Sequence, residues 1–263
     1  MKCARFLWPA VVAIVLIFPP QTVDAGRLPW DTTVRRDVPL LAAGLSLTAV
    51  GHTLAERVPP VNRVLNDEAE VFIFDRNFIF PYCAGWGHVS DVALVSSVLA
   101  PLGAYLLVAG LDAGGDLSRL GLLQLETLSV VAGTMYITKA FTQRPRPYVY
   151  RDDAPTHLLR SPDSRASFFS GHAALAFAAA ELQRQFVEAA EGPHWLAWAG
   201  YGVATLTACG RVLAGVHFPT DVLVGAAAGV VCAKAVLALH ERTGESEGVS
   251  TLSVGMLRFT IAF

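Results

Sequence analysis

The stretch LGLLQLETLSVVAGTMYITKAFTQRPRP, from Leu120 to Pro147, decides how the rest of the chain is read. Its apolar run Leu120–Ile137 lacks the strict alternation of a strand and approaches the roughly 20 residues that cross a bilayer as helix. That helix has to stop at Arg144-Pro145-Arg146-Pro147, because proline removes an amide donor and clashes with the preceding turn. Lys139 is left near the edge of the apolar layer and Arg146 just past it. A lone lysine there reads as a cation reaching for water along its own stem. A second cation pinned by proline makes the pair an anion site, arginine meeting phosphate oxygens as a bidentate fork and lysine as a point charge. Arg144 reads as a spare cation, structural or at the headgroup surface.

Working outward, further apolar runs occupy about Val38–Ala55, Val92–Leu111, Ala173–Ala180 with a polar extension, Trp195–Leu213 and Val222–Leu239. All are rich in alanine, leucine and glycine, and together they predict an all-α, polytopic membrane bundle of about six helices. The run at Ala173 is cut short by Glu181 and Arg184, which predicts a helix whose charged face meets water or protein. The composition agrees: 53% hydrophobic, 16% charged and a mean hydropathy of +0.46 are too apolar for an ordinary soluble domain. A formal net charge of −2 and the lack of a basic patch exclude nucleic acid as a partner. No protein partner is legible. Cys3, Cys83, Cys209 and Cys232 show neither metal-ligand spacing nor a disulfide framework, and Cys209 and Cys232 read as small buried hydrophobes. No cofactor and no metal site is expected.

The N-terminus carries Lys2 and Arg5, an apolar run Phe6–Phe18, and small residues around Val23-Asp24-Ala25. That run is short for a span, so residues 1–25 read as a secretory signal, with an uncleaved anchor as the alternative. Residues 26–91 form an N-terminal helix and an interfacial loop region, with an interfacial helix around Val71–Trp86. A catalytic helical core follows at 92–242 and a tail at 243–263, where Leu252, Val254, Phe259 and Ile261 alternate weakly like strand. Two cues to orientation oppose one another. A cleaved signal followed by six spans turns the site toward the cytoplasm. Arg27, Arg35 and Arg36 before Val38 place that flank in the cytoplasm and the site outside, and the expectation follows the arginines.

Two more clusters complete the chemistry. Ser170 is a good helix N-cap, Gly171 admits close backbone approach, and the free amides of that helix start favour an anion beside His172. Arg211 adds a third cation, and His217 is followed four positions on by Asp221, with Pro219 suited to a helix's first turn. A carboxylate so placed can accept from one imidazole nitrogen and leave the other free to attack. Alone, Ser-Gly-His is an ordinary cap and His–Asp a satisfied pair. Glu126 inside the third run is a functional candidate by default, although without a motif a structural hydrogen bond is the plainer reading. His52, His88, His157, His194 and His240 show no recognisable spacing.

Lys139-x6-Arg146-Pro147, Phe169-Ser170-Gly171-His172 and Gly210-Arg211-x5-His217-x3-Asp221 together resemble the signature of the type-2 phosphatidic acid phosphatase superfamily, which also contains vanadium haloperoxidases and bacterial acid phosphatases. The resemblance spans roughly residues 90–240. Phe169 stands where the family usually has proline, and Gly210 where it usually has serine. What the resemblance implies is a metal-independent histidine phosphatase acting on a lipid phosphate or diphosphate, with its site on one membrane face. His217 would be the nucleophile, oriented by Asp221, and His172 the general acid. Lys139, Arg146, Arg211 and the Ser170–Gly171 amides would bind phosphate. Within the same fold, an exported soluble-type acid phosphatase and a vanadate-dependent haloperoxidase are alternatives, and a non-catalytic membrane binding or transport protein is a fourth.

Overall fold

The computed structural model describes residues 28–59, 68–110 and 114–242, and the backbone of 249–254 and 257–262. The signal read at residues 1–25 lies outside them. Among the described residues, helices form at each of the six long apolar runs, α1 Val34–Glu56, α2 Ala84–Ala109, α3 Gly114–Thr142, α5 Gly171–Ala189, α6 His194–Leu213 and α7 Pro219–Leu239, with the single-turn α4 Thr156–Leu159 between α3 and α5. The stop read at Arg144-Pro145 is observed, with α3 ending at Thr142. In the tail, β1 Val249–Val254 and β2 Leu257–Ala262 pair antiparallel, so the weak alternation belongs to a hairpin whose strands satisfy each other.

Helix α5 is the axis of the bundle. It packs on α2, α3, α6 and α7, while α1 lies chiefly along α3. The alanines of α5 make this possible: Ala173, Ala174, Ala176, Ala178, Ala179 and Ala180 are all buried, and small side chains let helix backbones approach closely. Helix α7 answers with Gly225 and Gly229, where an added Cβ would run into the Ser170 and Ala174 carbonyls of α5. Below this contact the core is conventional, with Tyr105, Leu120, Leu123, Leu182 and Phe186 buried together and Trp30 meeting Phe186 edge-on at 5.7 Å.

Among the described residues, four segments are long and apolar enough to cross a membrane: Val34–Glu56, Ala84–Ala109, Gly115–Tyr150 and Pro219–Leu239. Large apolar side chains such as Val92, Val95, Leu99, Leu223 and Val231 point outward from them. Helices α5 and α6 are not among the four. The charges that interrupt α5 meet protein, since Glu181 is buried and accepts from Arg184 and, across the helix interface, from the Tyr201 hydroxyl.

Two expectations change. No interfacial helix spans Val71–Trp86. That stretch holds only a short 3-10 turn at Arg76–Phe78, and α2 begins at Ala84. Pro81 biases the chain away from helix just where it would have to continue. Cys209 is exposed on the outer side of α6, so its apolar neighbourhood is the bundle surface and not the core.

Candidate active site

The far ends of α3 and α6 and the starts of α5 and α7 come together at one end of the bundle. Between them opens a cleft of about 700 Å³ whose walls include Lys139, Arg146, Gly171, His172, Arg211 and His217. Ser170 and Asp221 lie immediately behind, both fully buried. The three clusters, far apart in the chain, therefore meet in one place, six of their residues on the wall and two in support.

His217 sits in the α6–α7 connection, whose path is fixed by Gly215. That residue has φ +68°, and a side chain there would strike the Pro81 and Phe80 carbonyls. Backbone bonds tie the same turn outward: Cys83 N–H donates to Ala214 O at 3.1 Å and Tyr148 N–H to Gly215 O at 3.1 Å. Arg146 approaches from the α3 side, donating to Val216 O at 2.9 Å with its NH1 nitrogen 3.4 Å from His217 Nε2. A guanidinium can only donate, so the Nε2 that faces it carries the lone pair. The ring proton then lies on Nδ1, 3.6 Å from Asp221 Oδ2. Burial, followed by the charges of Arg146, Lys139 and Arg211, pushes the His217 imidazole well below its ordinary pKa, which keeps the ring neutral.

Asp221 stands close to His217 without hydrogen-bonding it, because its oxygens have other partners. Oδ2 accepts from the Phe218 N–H at 2.9 Å and from the Ser167 hydroxyl, and Oδ1 accepts from Arg144. Arg144 is thus no surface cation. It also donates to Asp75 Oδ2 at 2.7 Å and lies 4.5 Å over the Phe218 ring. Asp75, fully buried, in turn accepts from the Thr220 backbone N–H at 3.2 Å. This Asp75–Arg144–Asp221 ladder clamps the first turn of α7 behind His217.

Sequence reasoning passed over two carboxylates that bind residues of the cleft wall, Asp163 and Asp91. Asp163, on the 3-10 turn Pro162–Arg165, accepts from Arg146 NH2 at 2.6 Å through Oδ1, and its backbone oxygen accepts from Nε at 2.8 Å. Burial works against its charge, but Arg146 and Lys139 outweigh it and hold the carboxyl below its usual range. Asp91, on α2, lies 2.9 Å from His172 Nε2 and 3.2 Å from Arg211 NH1. No local motif marks either residue. Their only signal in the sequence is an acidic side chain, Asp163 in the first turn of a short 3-10 segment and Asp91 about two turns into α2.

The Ser170 cap is observed, its side chain accepting from the Ala173 N–H at 3.4 Å. Gly171 has a packing reason that the sequence did not show, since a Cβ there would collide with the Met135 sulfur. The two positions that depart from the phosphatase signature fit their surroundings. Phe169 is buried in the core, and Gly210 lets α6 approach α2, where a Cβ would come 2.9 Å from Ser90 Cβ.

Two cations are left partly unanswered. Lys139 is buried at the cleft wall with no carboxylate in ion-pair range among the described residues, and Arg211 Nε is buried without a hydrogen-bond partner. A buried charge without a partner is costly, which marks the cleft as a place prepared for an anion.

Residues 121–245 match the family model described as the PAP2 superfamily. No curated protein matches the chain. Among solved structures, the chain is similar to LpxE of Aquifex aeolicus at 23% identity and TM-score 0.42, over 59% of this chain and 84% of that one. It is also similar to a transmembrane PAP2-type phosphatidylglycerolphosphate phosphatase from Bacillus subtilis at 22% identity and TM-score 0.43, over 77% of this chain and 94% of that one.

Proposed function

Proceeding from a PAP2-superfamily core over residues 121–245, we propose that the protein is a membrane phosphatase that hydrolyses a lipid phosphate or diphosphate through a phosphohistidine. The observation that carries this reading is the meeting of Lys139, Arg146, Arg211, His172 and His217 on one cleft that contains a buried, unpaired cation. The four apolar spans, with the cleft at one end of the bundle they form, support a site at the edge of the bilayer, where a lipid headgroup presents its phosphate.

In the reaction so proposed, the phosphoryl group enters among Lys139, Arg146 and Arg211, which meet its equatorial oxygens as charge develops. Neutral His217 attacks through Nε2, the nitrogen that already faces the cleft beside Arg146. The P–N bond forms as the bond from phosphorus to the leaving oxygen breaks. His172, its pKa held down to about 4 in the free protein by burial and Arg211, takes up a proton as the phosphate dianion binds beside it and passes it to the departing alcohol. Water then attacks the phosphohistidine, with His172 accepting its proton, and inorganic phosphate leaves. Asp221 receives the growing positive charge of the ring across 3.6 Å, and the Arg144 clamp holds it there. Asp91 orients His172 in the free protein, and an incoming phosphate competes with it for Arg211. Exposed Arg35 at the start of α1 supports a cytoplasmic end opposite the site, which turns the cleft outward.

The test is phosphate release by detergent-purified protein from phosphatidic acid, phosphatidylglycerophosphate and polyprenyl diphosphate. Release from at least one of them, abolished in His217→Ala at matched expression, is the expected result. No release from any lipid, together with hydrolysis of soluble phosphomonoesters alone, would overturn the lipid assignment. Intact cells that hydrolyse an impermeant phosphate substrate only after lysis would reverse the orientation.

A further inference from the structure

At the end of the bundle opposite the cleft, three ligand-bearing side chains that no sequence spacing connects are brought together. Asp37 comes from the first turn of α1, Glu126 from the middle of α3 and His240 from the C-cap of α7. All three are buried, His240 and Glu126 completely, and one ligating atom from each lies within 4.8 Å of the other two. Glu126 is thirteen residues before Lys139 on one continuous helix, which puts the cluster about 20 Å from the catalytic cleft. The phosphatase reading makes no use of it.

The protonation of His240 can be worked out from one bond. Its Nδ1 lies 2.7 Å from the Val236 carbonyl, and a carbonyl can only accept, so the proton is on Nδ1. In the neutral ring Nε2 then presents a lone pair, 3.0 Å from Glu126 Oε2 and 3.3 Å from Asp37 Oδ1. Neither approach has hydrogen-bond alignment. His240 Nε2 and both Glu126 oxygens are buried without a hydrogen-bond partner. A lone pair and two carboxylates turned toward one point in an apolar interior repel one another unless something positive stands among them. Arg36 reaches Asp37 Oδ1 at 3.3 Å, but it also binds Asp31 and the Leu239 carbonyl and makes no hydrogen bond to Glu126.

We propose that Asp37, Glu126 and His240 form a structural site for one divalent metal ion of borderline softness, with zinc the best match. The ligand set, one imidazole and two carboxylates, suits such an ion, whereas magnesium and calcium favour oxygen throughout. Zinc bonds of about 2.0–2.1 Å in a tetrahedron set neighbouring ligand atoms roughly 3.3 Å apart, close to the two spacings observed around Nε2. A backbone carbonyl that fixes the far nitrogen is the usual support for a metal-binding histidine. The ion would tie α1 to α3 and α7 where residues 29–31 and 240–242 also meet. There Asp31 N–H donates to the His240 carbonyl at 2.9 Å, and Arg242 N–H donates to Pro29 O at 2.8 Å.

The experiment uses full-length protein in detergent, treated with chelator, desalted and titrated calorimetrically with zinc chloride, with cobalt(II) as a visible-absorption probe. One zinc per chain is expected, together with a higher melting temperature than the chelator-treated protein shows. Glu126→Gln and His240→Gln should each weaken binding by at least about 100-fold. His217→Ala and His172→Ala should bind zinc as the wild type does, which separates this site from the catalytic histidines. No zinc uptake by the wild type overturns the proposal, and leaves His240 as an imidazolium between two carboxylates. Unchanged uptake by both Glu126→Gln and His240→Gln overturns it too. If either variant fails to give monodisperse protein, the X-ray absorption spectrum of zinc-loaded wild type decides. A single imidazole with oxygen ligands supports the site, and two or more imidazoles or any sulfur refutes it.

Discussion

Replacing Arg144 by methionine tests how the turn carrying His217 is held. The substitution keeps a long side chain against the Phe218 ring but removes the charge shared by Asp75 and Asp221, both fully buried. Removing one partner of a buried ion pair costs about 3–5 kcal/mol, because the other is left uncompensated. Arg144 keeps 21% of its side-chain surface exposed, so water can reach the gap, and about 3 kcal/mol is the better figure. For a chain of this size that corresponds to a fall in melting temperature of roughly 6–12 °C. The assay is thermal unfolding of wild type and variant in one detergent at one scan rate, with phosphate release measured beside it. The double variant Arg144→Met/Asp75→Asn should regain part of the loss, since one of the stranded carboxylates is then neutral. A fall of less than about 2 °C, under 1 kcal/mol, would refute the clamp.

The two histidines separate by leaving group: His217→Ala should be inactive on lipid and aryl phosphates alike, while His172→Ala should recover in part on an aryl phosphate that departs without a proton. The reverse pattern would exchange their roles. Lys139→Met removes one of the cations that disfavour the His217 imidazolium, so its pKa rises and the acidic limb of the kcat/KM profile moves to higher pH than in wild type. Substrate ionisation is common to both proteins, so a limb that stays put or moves down contradicts the argument. Gly210→Ser restores the residue usual in the phosphatase signature yet should destabilise by about 1–3 kcal/mol, because its Cβ would press on Ser90 of α2. A melting temperature at or above that of wild type would show that the helices have room to part. Turnover should continue in excess chelator at a temperature where the chelated protein stays folded, since the cleft is lined by cations and histidines; complete loss there, reversed by a divalent ion in wild type and in His240→Gln alike, would place a metal in the chemistry.

The sequence by itself determined the helical class, the number of long helices and the charged and imidazole residues that meet at the cleft. Apolar runs without strand alternation can bury themselves in few ways, and proline at 145 and 147 ends α3 wherever the helix happens to pack. The resemblance to the phosphatase signature picked out the eight candidate residues because their spacing is local: a cap, a stop and a turn. What supports them was decided by tertiary structure. Asp75, Asp91 and Asp163 gain their roles only when distant segments converge on Arg144, His172 and Arg146, and no period or motif records that meeting. The same holds for Glu126 and His240. One read in sequence as an isolated ionisable residue in a span and the other as a histidine without spacing. They acquire a chemistry in common only because α3 and α7 lie side by side with the start of α1 against them. Partners so far apart in the chain are chosen by helix packing, and packing here is set by small residues such as Gly225, Gly229 and the alanines of α5, whose effect is steric and has no local signature.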